Sequence, residues 1–482
     1  MYLGIDVGTQ SLKAIVVDGA ARPLGAGASP YRPSYPRASW AEHDPRVWLA
    51  ALRPAIAQAI EAANLKPSDI KGLAICGQLD GCIGTTRDAE PVAPAIIWMD
   101  RRATAEVSDI DARLIRERAG LVLDSTHMAA KIRWSKRHLE RAQEVVTWHQ
   151  PVSFVVEALT GARVLDHSLA STTMLYGLAQ RGWDVELLAA FGIDRDVLPA
   201  IASAGDCAGQ LTVAGAKLTE LPAGLPVAVG TGDDFSNPLG CGIAQPGAVA
   251  VTLGTGEAIA GISAQLVSDA EQLLETHVYP TGLYHLGNPG WLSGGAVTWF
   301  LGTFSVSSAA EMSALAAGAP PGCDGLTFLP ALSGTTAPRW SSSARGCFYG
   351  MSAAHTKAHF ARAVLEGTSF AMRDVVDRLA ALGVDGNIRI LGGGAASPVW
   401  TQIRADLLGR EVDALEDGDA SAMGAAMLAT VAAGEVSDVE TACARLALPL
   451  RRVTPNLSHG AAYGEAYARY RLLFDSLEPM FN

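Results

Sequence analysis

MYLGIDVGTQSLKAIVVD, Met1 to Asp18, decides how the rest of the chain is read. Leu3 and Ile5 alternate with small residues, and Leu12 to Val17 is β-branched and apolar. That pattern predicts two strands joined by a tight turn. The turn is Asp6-Val7-Gly8-Thr9-Gln10-Ser11. Gly8 lets the backbone turn at low steric cost and come close to a ligand. Thr9, Gln10 and Ser11 offer backbone N–H groups and polar side chains in one small concavity, which suits an anion. Asp6 suits an anion only with a cation between them, and a carboxylate beside a phosphate cradle holds hydrated magnesium in that way. The same residues also suit a surface hairpin with a polar turn.

The pattern returns at Val249 to Ala260, VAVTLGTGEAIA: strand, Gly-Thr turn, strand. Pairing Gly8-Thr9 with Gly254-Thr255 divides the 482 residues nearly in half, and a strand–turn–strand heading each half predicts two related lobes. Two such turns facing each other would grip a polyphosphate from both sides. The layout resembles the actin-like ATPase fold. The expected class is α/β, with two actin-like (ribonuclease H-like) ATPase lobes, residues 1–242 and 243–482, and a nucleotide cleft between them.

Composition sets the outer bounds. The chain is too long for one core. It is 49% hydrophobic and 18% charged, which is ordinary for a well-packed α/β protein. Its net charge of −12, without a Lys/Arg run, argues against nucleic acid or an anionic membrane as a partner. A polyphosphate would therefore be held by local backbone groups and metal. The seven cysteines are scattered and never form CxxC, as expected of a reducing cytosol and of neither a zinc site nor a disulfide framework. A strand at the very start predicts no signal peptide and, with the cysteines, a cytoplasmic protein. The apolar run Ala420 to Gly434 is too short and too rich in Ala and Gly to span a bilayer. The sequence sets no oligomeric state; a homodimer is one state open to it.

Along the chain, Asp44 caps and Pro45 opens a helix whose inner face is Leu49, Leu52, Ile56 and Ile60. Ile70 to Cys76 reads as a strand ending in Gly77-Gln78-Leu79-Asp80-Gly81. Ligands of α/β sheets sit at strand ends, so Gln78 and Asp80 are candidates, although a plain polar turn reads the same way. Ala95 to Met99 reads as a strand closing on Asp100-Arg101-Arg102, and Asp109 to Gly120 and Lys131 to Glu144 as helices. Pro226 to Gly230 is a buried strand entering Thr231-Gly232-Asp233-Asp234. One of two adjacent carboxylates can act as a general base while its neighbour orients substrate, and Asp is equally favoured at a helix start. Gly294-Gly295 precedes a helix and suits either phosphate or close helix packing. Lys357 to Leu382 is a long helix. Ile388 to Leu391 runs into Gly392-Gly393-Gly394, after which Ser397 caps and Pro398 opens a further helix. A glycine run between strand and helix admits a flat ring, and a helix start attracts phosphate.

The chain has no GxxxxGK[ST] loop, no HRD or DFG and no HExxH. Over essentially its whole length it resembles an FGGY-family carbohydrate kinase, most closely the xylulokinase branch. GIDVGTQSLK resembles the family's opening phosphate hairpin, and WAEHDPRVW its W-x-E-x-D-P-x-x-W stretch. GQLDG stands where GQ-x-HG is usual, WMDRR where W-x-D-x-R is usual, and GTGDD at the catalytic aspartate loop. LGTG resembles the second phosphate turn, GCFYGMSAAHTKAHFARAVLE the C-terminal signature, and GGGAASPVWTQIRADLLG the adenosine loop and helix. Three residues depart from the family pattern: Asp80 replaces the usual histidine, Asp234 an asparagine, and Met128 a Pro, Ser or Thr, although Lys131 and Trp134 match. An ionised Asp only accepts hydrogen bonds, whereas His or Asn can donate. The acceptor pocket is thus expected to be acidic and acceptor-rich, which favours a neutral, hydroxyl-rich ligand and weakens the case for D-xylulose itself against another ketopentose or a polyol.

The resemblance implies ATP-dependent phosphorylation of a terminal hydroxyl of a small ketose, above all a pentulose such as xylulose, with ATP and Mg2+; the alternative within the family is a polyol kinase of erythritol or pentitol type. It makes Asp233 the base, surrounds the acceptor with Gln78, Leu79, Asp80, Asp100 and Asp234, and gives the metal to Asp6. Phosphates would meet Gly8, Thr9, Gln10, Ser11, Lys13, Gly254, Thr255, Gly294 and Gly295. Adenosine would be bordered by Gly393, Gly394, Ser397 and Gln402. Two other readings stay open: an actin- or chaperone-like ATPase, and a sugar sensor without turnover.

Overall fold

The computed structural model describes residues 1–415 and 419–481. They form two compact units. The first comprises Met1–Ala244, Ala264–His285 and Asp419–Ala447; the second comprises Gln245–Ser263, Leu286–Gly418 and Leu448–Asn482. Beyond the division expected at residue 242, the first unit thus takes two segments from the C-terminal half.

The first unit is built on the opening hairpin. Tyr2–Val7 and Ser11–Val17 pair antiparallel, with Asp6 opposite Lys13 and Val7 opposite Leu12. Tyr2–Val7 also pairs in parallel with Gly72–Gly77, Val7 opposite Gly77. Across the sheet the order is Cys207–Gln210, Pro226–Ala228, Gly72–Gly77, Tyr2–Val7, Ser11–Val17, Pro23–Pro30. The short strand Thr231–Gly232 joins Gly72–Gly77 with Gly232 opposite Gly77. Three parallel strands therefore end side by side, at Val7, Gly77 and Gly232. The residues that follow them (Gly8, Gln78 and Asp233) emerge at one sheet edge, the usual place for a ligand in an α/β sheet.

Every residue of Tyr2–Val7 and of Gly72–Gly77 is buried, as expected of strands covered on both faces. The helix Pro45–Ala62, capped by Asp44, buries Trp48, Leu52, Ile56 and Ile60. The helix Ala420–Ala432 carries small residues where it meets the sheet. A Cβ on Gly4 would stand 1.9 Å from the Ala422 carbonyl oxygen, so backbone lies against backbone there. The apolar run at 420–434 is thus an inner helix. Among the described residues, no helix is long and apolar enough to cross a membrane.

Two expected elements come out differently. Of Ala95 to Met99, only Ala95–Ile96 is strand, paired with Glu42–His43. The chain then turns, with Asp100 N donating to the Ile97 carbonyl, and Trp98 is left 46% exposed. The expected helix Lys131 to Glu144 is Met128–His138 followed by a single turn, Ala142–Glu144. Lys136, Arg137 and His138 suit a helix end, and Leu139 leaves in extended conformation to pack against the cluster around Ile132 and Trp148.

The second unit repeats the plan. Val249–Leu253 and Gly256–Ser263 form a hairpin, and Val249–Leu253 pairs in parallel with Ile388–Leu391. Val412–Leu415 follows in parallel and Leu450–Val453 antiparallel. In both units the first hairpin strand is flanked by its antiparallel successor and by a parallel strand from later in the chain, which is the mark of related lobes.

Candidate active site

In the first unit the turn after Val7 is closed by Gly8 N donating to the Ser11 carbonyl at 3.1 Å. The Tyr31 hydroxyl donates to the Gly8 carbonyl at 2.7 Å, and Trp98 Nε1 donates to Thr9 Oγ1 at 3.0 Å. Asp6 is buried beneath the turn, and its Oδ1 has no hydrogen-bond partner among the described residues. Burial first, then the charges of Asp233 and Asp419, hold its carboxyl well above the usual range. A buried, hard oxygen donor surrounded by negative charge fits a magnesium ion. Among the described residues, no group of three or more His, Cys, Asp or Glu is arranged to hold a metal. An ion here would thus be held as magnesium usually is, by one carboxylate, water and phosphate oxygens. Lys13, opposite Asp6 on the hairpin, pairs with Asp419 at 2.7 Å, and Asp419 caps the helix Ala420–Ala432.

Asp233 opens the helix Asp233–Gly240 directly after Gly232. Its Oδ1 accepts from Asp234 N at 3.0 Å. Burial raises its carboxyl to about 6, against the pull of backbone donors and Lys13. Asp234 stands at about 7, raised by burial, then by Asp233, then by Asp80. A base near the operating pH can take a proton and return it.

Gln78 is buried and its Oε1 has no partner among the described residues, while its Nε2 lies 3.4 Å from the Gly8 carbonyl. Leu79 is half-buried. Asp80 takes a left-handed backbone conformation, φ 56°, fixed by its N–H donating to Gln150 Oε1 at 2.8 Å. Lys131 is fully buried and donates to the carbonyls of Asp80 and Ile97 at 2.6 and 3.0 Å. Burial lowers its ammonium to about 8. The helix face at Lys131 thus clamps two loops. Asp100 differs from the other candidates. Its oxygens accept from Ala41 N at 2.6 Å and from the Arg102 guanidinium at 2.7 to 3.0 Å, so both are engaged within the fold.

In the second unit the hairpin turn and the next helix are bound together. Gly294 N donates to the Gly254 carbonyl at 3.1 Å, and Gly295 N to the Thr255 carbonyl at 2.9 Å. A Cβ on Gly294 would stand 2.4 Å from the Gly254 oxygen, so only glycine fits. Gly392 (φ 83°) turns the chain out of Ile388–Leu391; Gly393 faces open space, and a Cβ on Gly394 would crowd Leu253. Ser397 caps the helix Pro398–Leu408 and lies 2.8 Å from Ser313 Oγ. The Gln402 amide donates to Asp406 and to the Thr454 carbonyl.

Sequence reasoning did not single out His127, Glu275 or His277. His127 Nδ1 lies 3.3 Å from Asp80 Oδ2, and its Nε2 lies 3.7 Å from Glu275 Oε1. The signal for His127 was its place directly before Met128 in a stretch already matched to the family; Glu275 and His277 lie in an ordinary-looking strand.

The N-terminal domain of the FGGY family of carbohydrate kinases matches residues 1–240, and the C-terminal domain of that family matches residues 249–433. The chain is 33% identical over 445 residues to the glycerol kinase of Thermococcus onnurineus, covering 89% of this chain and 88% of that protein. It is 30% identical over 492 residues to the xylulose kinase of Klebsiella pneumoniae, covering both in full. The xylulose kinase structure from Rhodospirillum rubrum superposes with a TM-score of 0.90 at 30% identity over 99% of each chain. Two family domains in order over most of the chain, with relatives of this closeness, mean that the protein belongs to the FGGY family of carbohydrate kinases and is a sugar phosphotransferase.

Proposed function

We propose that the protein transfers the γ-phosphoryl group of ATP to a terminal hydroxyl of a small ketose or polyol. The observation that carries this reading is Asp233, a half-buried carboxyl raised to about 6 at a helix start, in a unit where buried Gln78 Oε1 and Asp80 Oδ1 have no hydrogen-bond partner among the described residues. Asp233 would take the hydroxyl proton while the hydroxyl oxygen bonds to the γ-phosphorus; the bond from that phosphorus to the β,γ-bridging oxygen breaks, and ADP leaves. Such transfers depend on positioning and charge stabilisation more than on covalent help. Magnesium, bound through Asp6, would supply positive charge to the phosphate oxygens. In the first unit Gly8, Thr9, Gln10, Ser11 and Lys13 would meet phosphate, and Gln78, Leu79, Asp80 and Asp234 the acceptor. Asp100 would keep the Trp98 turn in place through Ala41 and Arg102. In the second unit Gly254, Thr255, Gly294 and Gly295 would meet phosphate, with Gly393, Gly394, Ser397 and Gln402 beside adenosine.

Relatives named xylulose kinase support a pentulose such as D-xylulose as the acceptor. Relatives named glycerol kinase, together with the acidic pair Asp80 and Asp234, support a polyol. ADP release measured with D-xylulose, xylitol, erythritol and glycerol separates the two. ADP release independent of any acceptor would instead mark an ATPase switch, and acceptor binding without ADP release a sensor.

A further inference from the structure

The segment Ala264–His285 brings Glu275 and His277 into the first unit, beside the loop that carries Asp80. His127 stands between two carboxylates, with Nδ1 3.3 Å from Asp80 Oδ2 and Nε2 3.7 Å from Glu275 Oε1. Glu275 is itself fixed, its Oε1 accepting from Val122 N at 2.9 Å, and His277 Nε2 lies 3.8 Å from its Oε2. His127 is 6% exposed, Asp80 7% and Gln78 2%. Yet His127 Nδ1, Asp80 Oδ1 and Gln78 Oε1 have no well-formed hydrogen bond among the described residues. Buried polar atoms are normally satisfied, so unpaired atoms on His127 and Asp80, with another on Gln78 two residues along the same loop, mark a place where a hydroxylated ligand belongs. The cluster adjoins the base: Asp80 and Asp233 both raise Asp234, and Phe235 sets its ring edge-on to His277 at 5.7 Å.

We infer that His127 meets the acceptor directly, donating to one of its oxygens while Asp80 Oδ1 accepts from a neighbouring hydroxyl, and that this pair determines which acceptor is chosen. The inference rests on the kinase reading above. Two flanking carboxylates favour the imidazolium; its Nε2 faces Glu275, and Nδ1, whose approach to Asp80 Oδ2 is not a formed hydrogen bond, is the N–H left to donate. The donor that is absent at position 80 is thereby supplied from position 127. A donor and an acceptor side by side select two adjacent oxygens of a neutral polyol or ketose. Glu275 acts through His127 and is a positioning residue.

The test uses the full chain and compares wild type with His127→Gln and Glu275→Gln. Steady-state kinetics with ATP are measured on D-xylulose, xylitol, erythritol and glycerol. For the best wild-type acceptor, His127→Gln should raise KM about tenfold or more, with kcat within about threefold and the KM for ATP unmoved. Glu275→Gln should shift the acceptor KM in the same direction by a smaller factor. If His127→Gln does not fold, Glu275→Gln alone decides by the same split. An acceptor KM unchanged in a folded variant overturns the inference and leaves the kinase reading standing. So does a variant whose acceptor KM, ATP KM and melting temperature worsen together, since that is a structural role. A wild type that phosphorylates none of the four acceptors overturns both readings.

Discussion

Thr231 donates its hydroxyl to Asp166 at 2.8 Å, two residues before Asp233. Asp166 also accepts from Ser168 N and Leu169 N at 3.1 and 3.0 Å, so one buried carboxyl ties a helix start to the strand that leads into Asp233, the proposed base. On the other side Thr231 and Gly232 pair with Cys76 and Gly77. Thr231→Val keeps the branched shape but removes the donor. Losing a buried partner costs about 1–3 kcal/mol. In a folded Thr231→Val protein, kcat should fall about tenfold with acceptor KM within a few-fold. Full activity would show that the tie does not aim Asp233.

Asp6 is the residue proposed to hold magnesium. Its buried oxygen is crowded by the charges of Asp233 and Asp419, and a divalent ion would relieve that crowding. Asp6→Ala should lower turnover strongly and flatten the response to added magnesium. Titration of the rate with magnesium at saturating ATP checks this, and an unaltered response in a folded variant removes Asp6 from the metal's surroundings.

On the proposed reading, substrate choice would depend on Asp80 and Asp234. Replacing both by the donors usual in the family, Asp80→His with Asp234→Asn, should move preference toward D-xylulose by about tenfold or more relative to a polyol. The change at 80 also withdraws the carboxylate that faces His127 at 3.3 Å, so the double variant should lose affinity for the best wild-type acceptor. Ratios of kcat/KM across the acceptor panel measure both effects. A wild type that already prefers D-xylulose over every polyol would contradict the role given to the two acids.

These residues differ in how visible they are in the sequence. The hairpins at Gly8 and Gly254 are local: a glycine turn between two apolar strands within a dozen residues can be read without knowing the fold. Asp44 and Ser397 also follow from cap preferences, and Asp233 from the preference of Asp for a helix's first turn, both of which act over one turn. The gathering of Gly8, Gln78 and Asp233 depends on parallel pairing of strands far apart in sequence, which no spacing encodes. Glu275 and His127 meet for the same kind of reason. Ala95 to Met99 misleads because burial at Ile97 and the Asp100–Arg102 pairing make an apolar run turn rather than extend. The helix Ala420–Ala432 reads as merely apolar until Gly4 explains its small residues.

Asp233 is the residue on which the kinase reading rests most heavily. It follows Gly232 at the end of a strand paired on Gly72–Gly77, so backbone rather than a flexible arm sets its direction. Asp233→Asn keeps the size and one acceptor but cannot take a proton, and removing a general base lowers rates about 10²- to 10⁴-fold. The acceptor's KM should stay within a few-fold, and ATP should still bind. With its carboxyl raised to about 6, the wild-type kcat/KM should climb as pH rises through about 6 and then level, a limb that the variant should lack. The same shift has a stability sign. A carboxyl raised from 3.8 in the folded state contributes stability that is present below its unfolded value and lost as pH rises through about 6. Asp233→Asn should therefore melt higher than wild type at pH 8, and the gap should close toward pH 4. Asp234→Asn, whose parent carboxyl stands at about 7, should show the same thermal gain while keeping far more of the rate. Should Asp234→Asn be dead and Asp233→Asn active, the base is the next residue; should both keep full activity, phosphoryl transfer does not run through this loop.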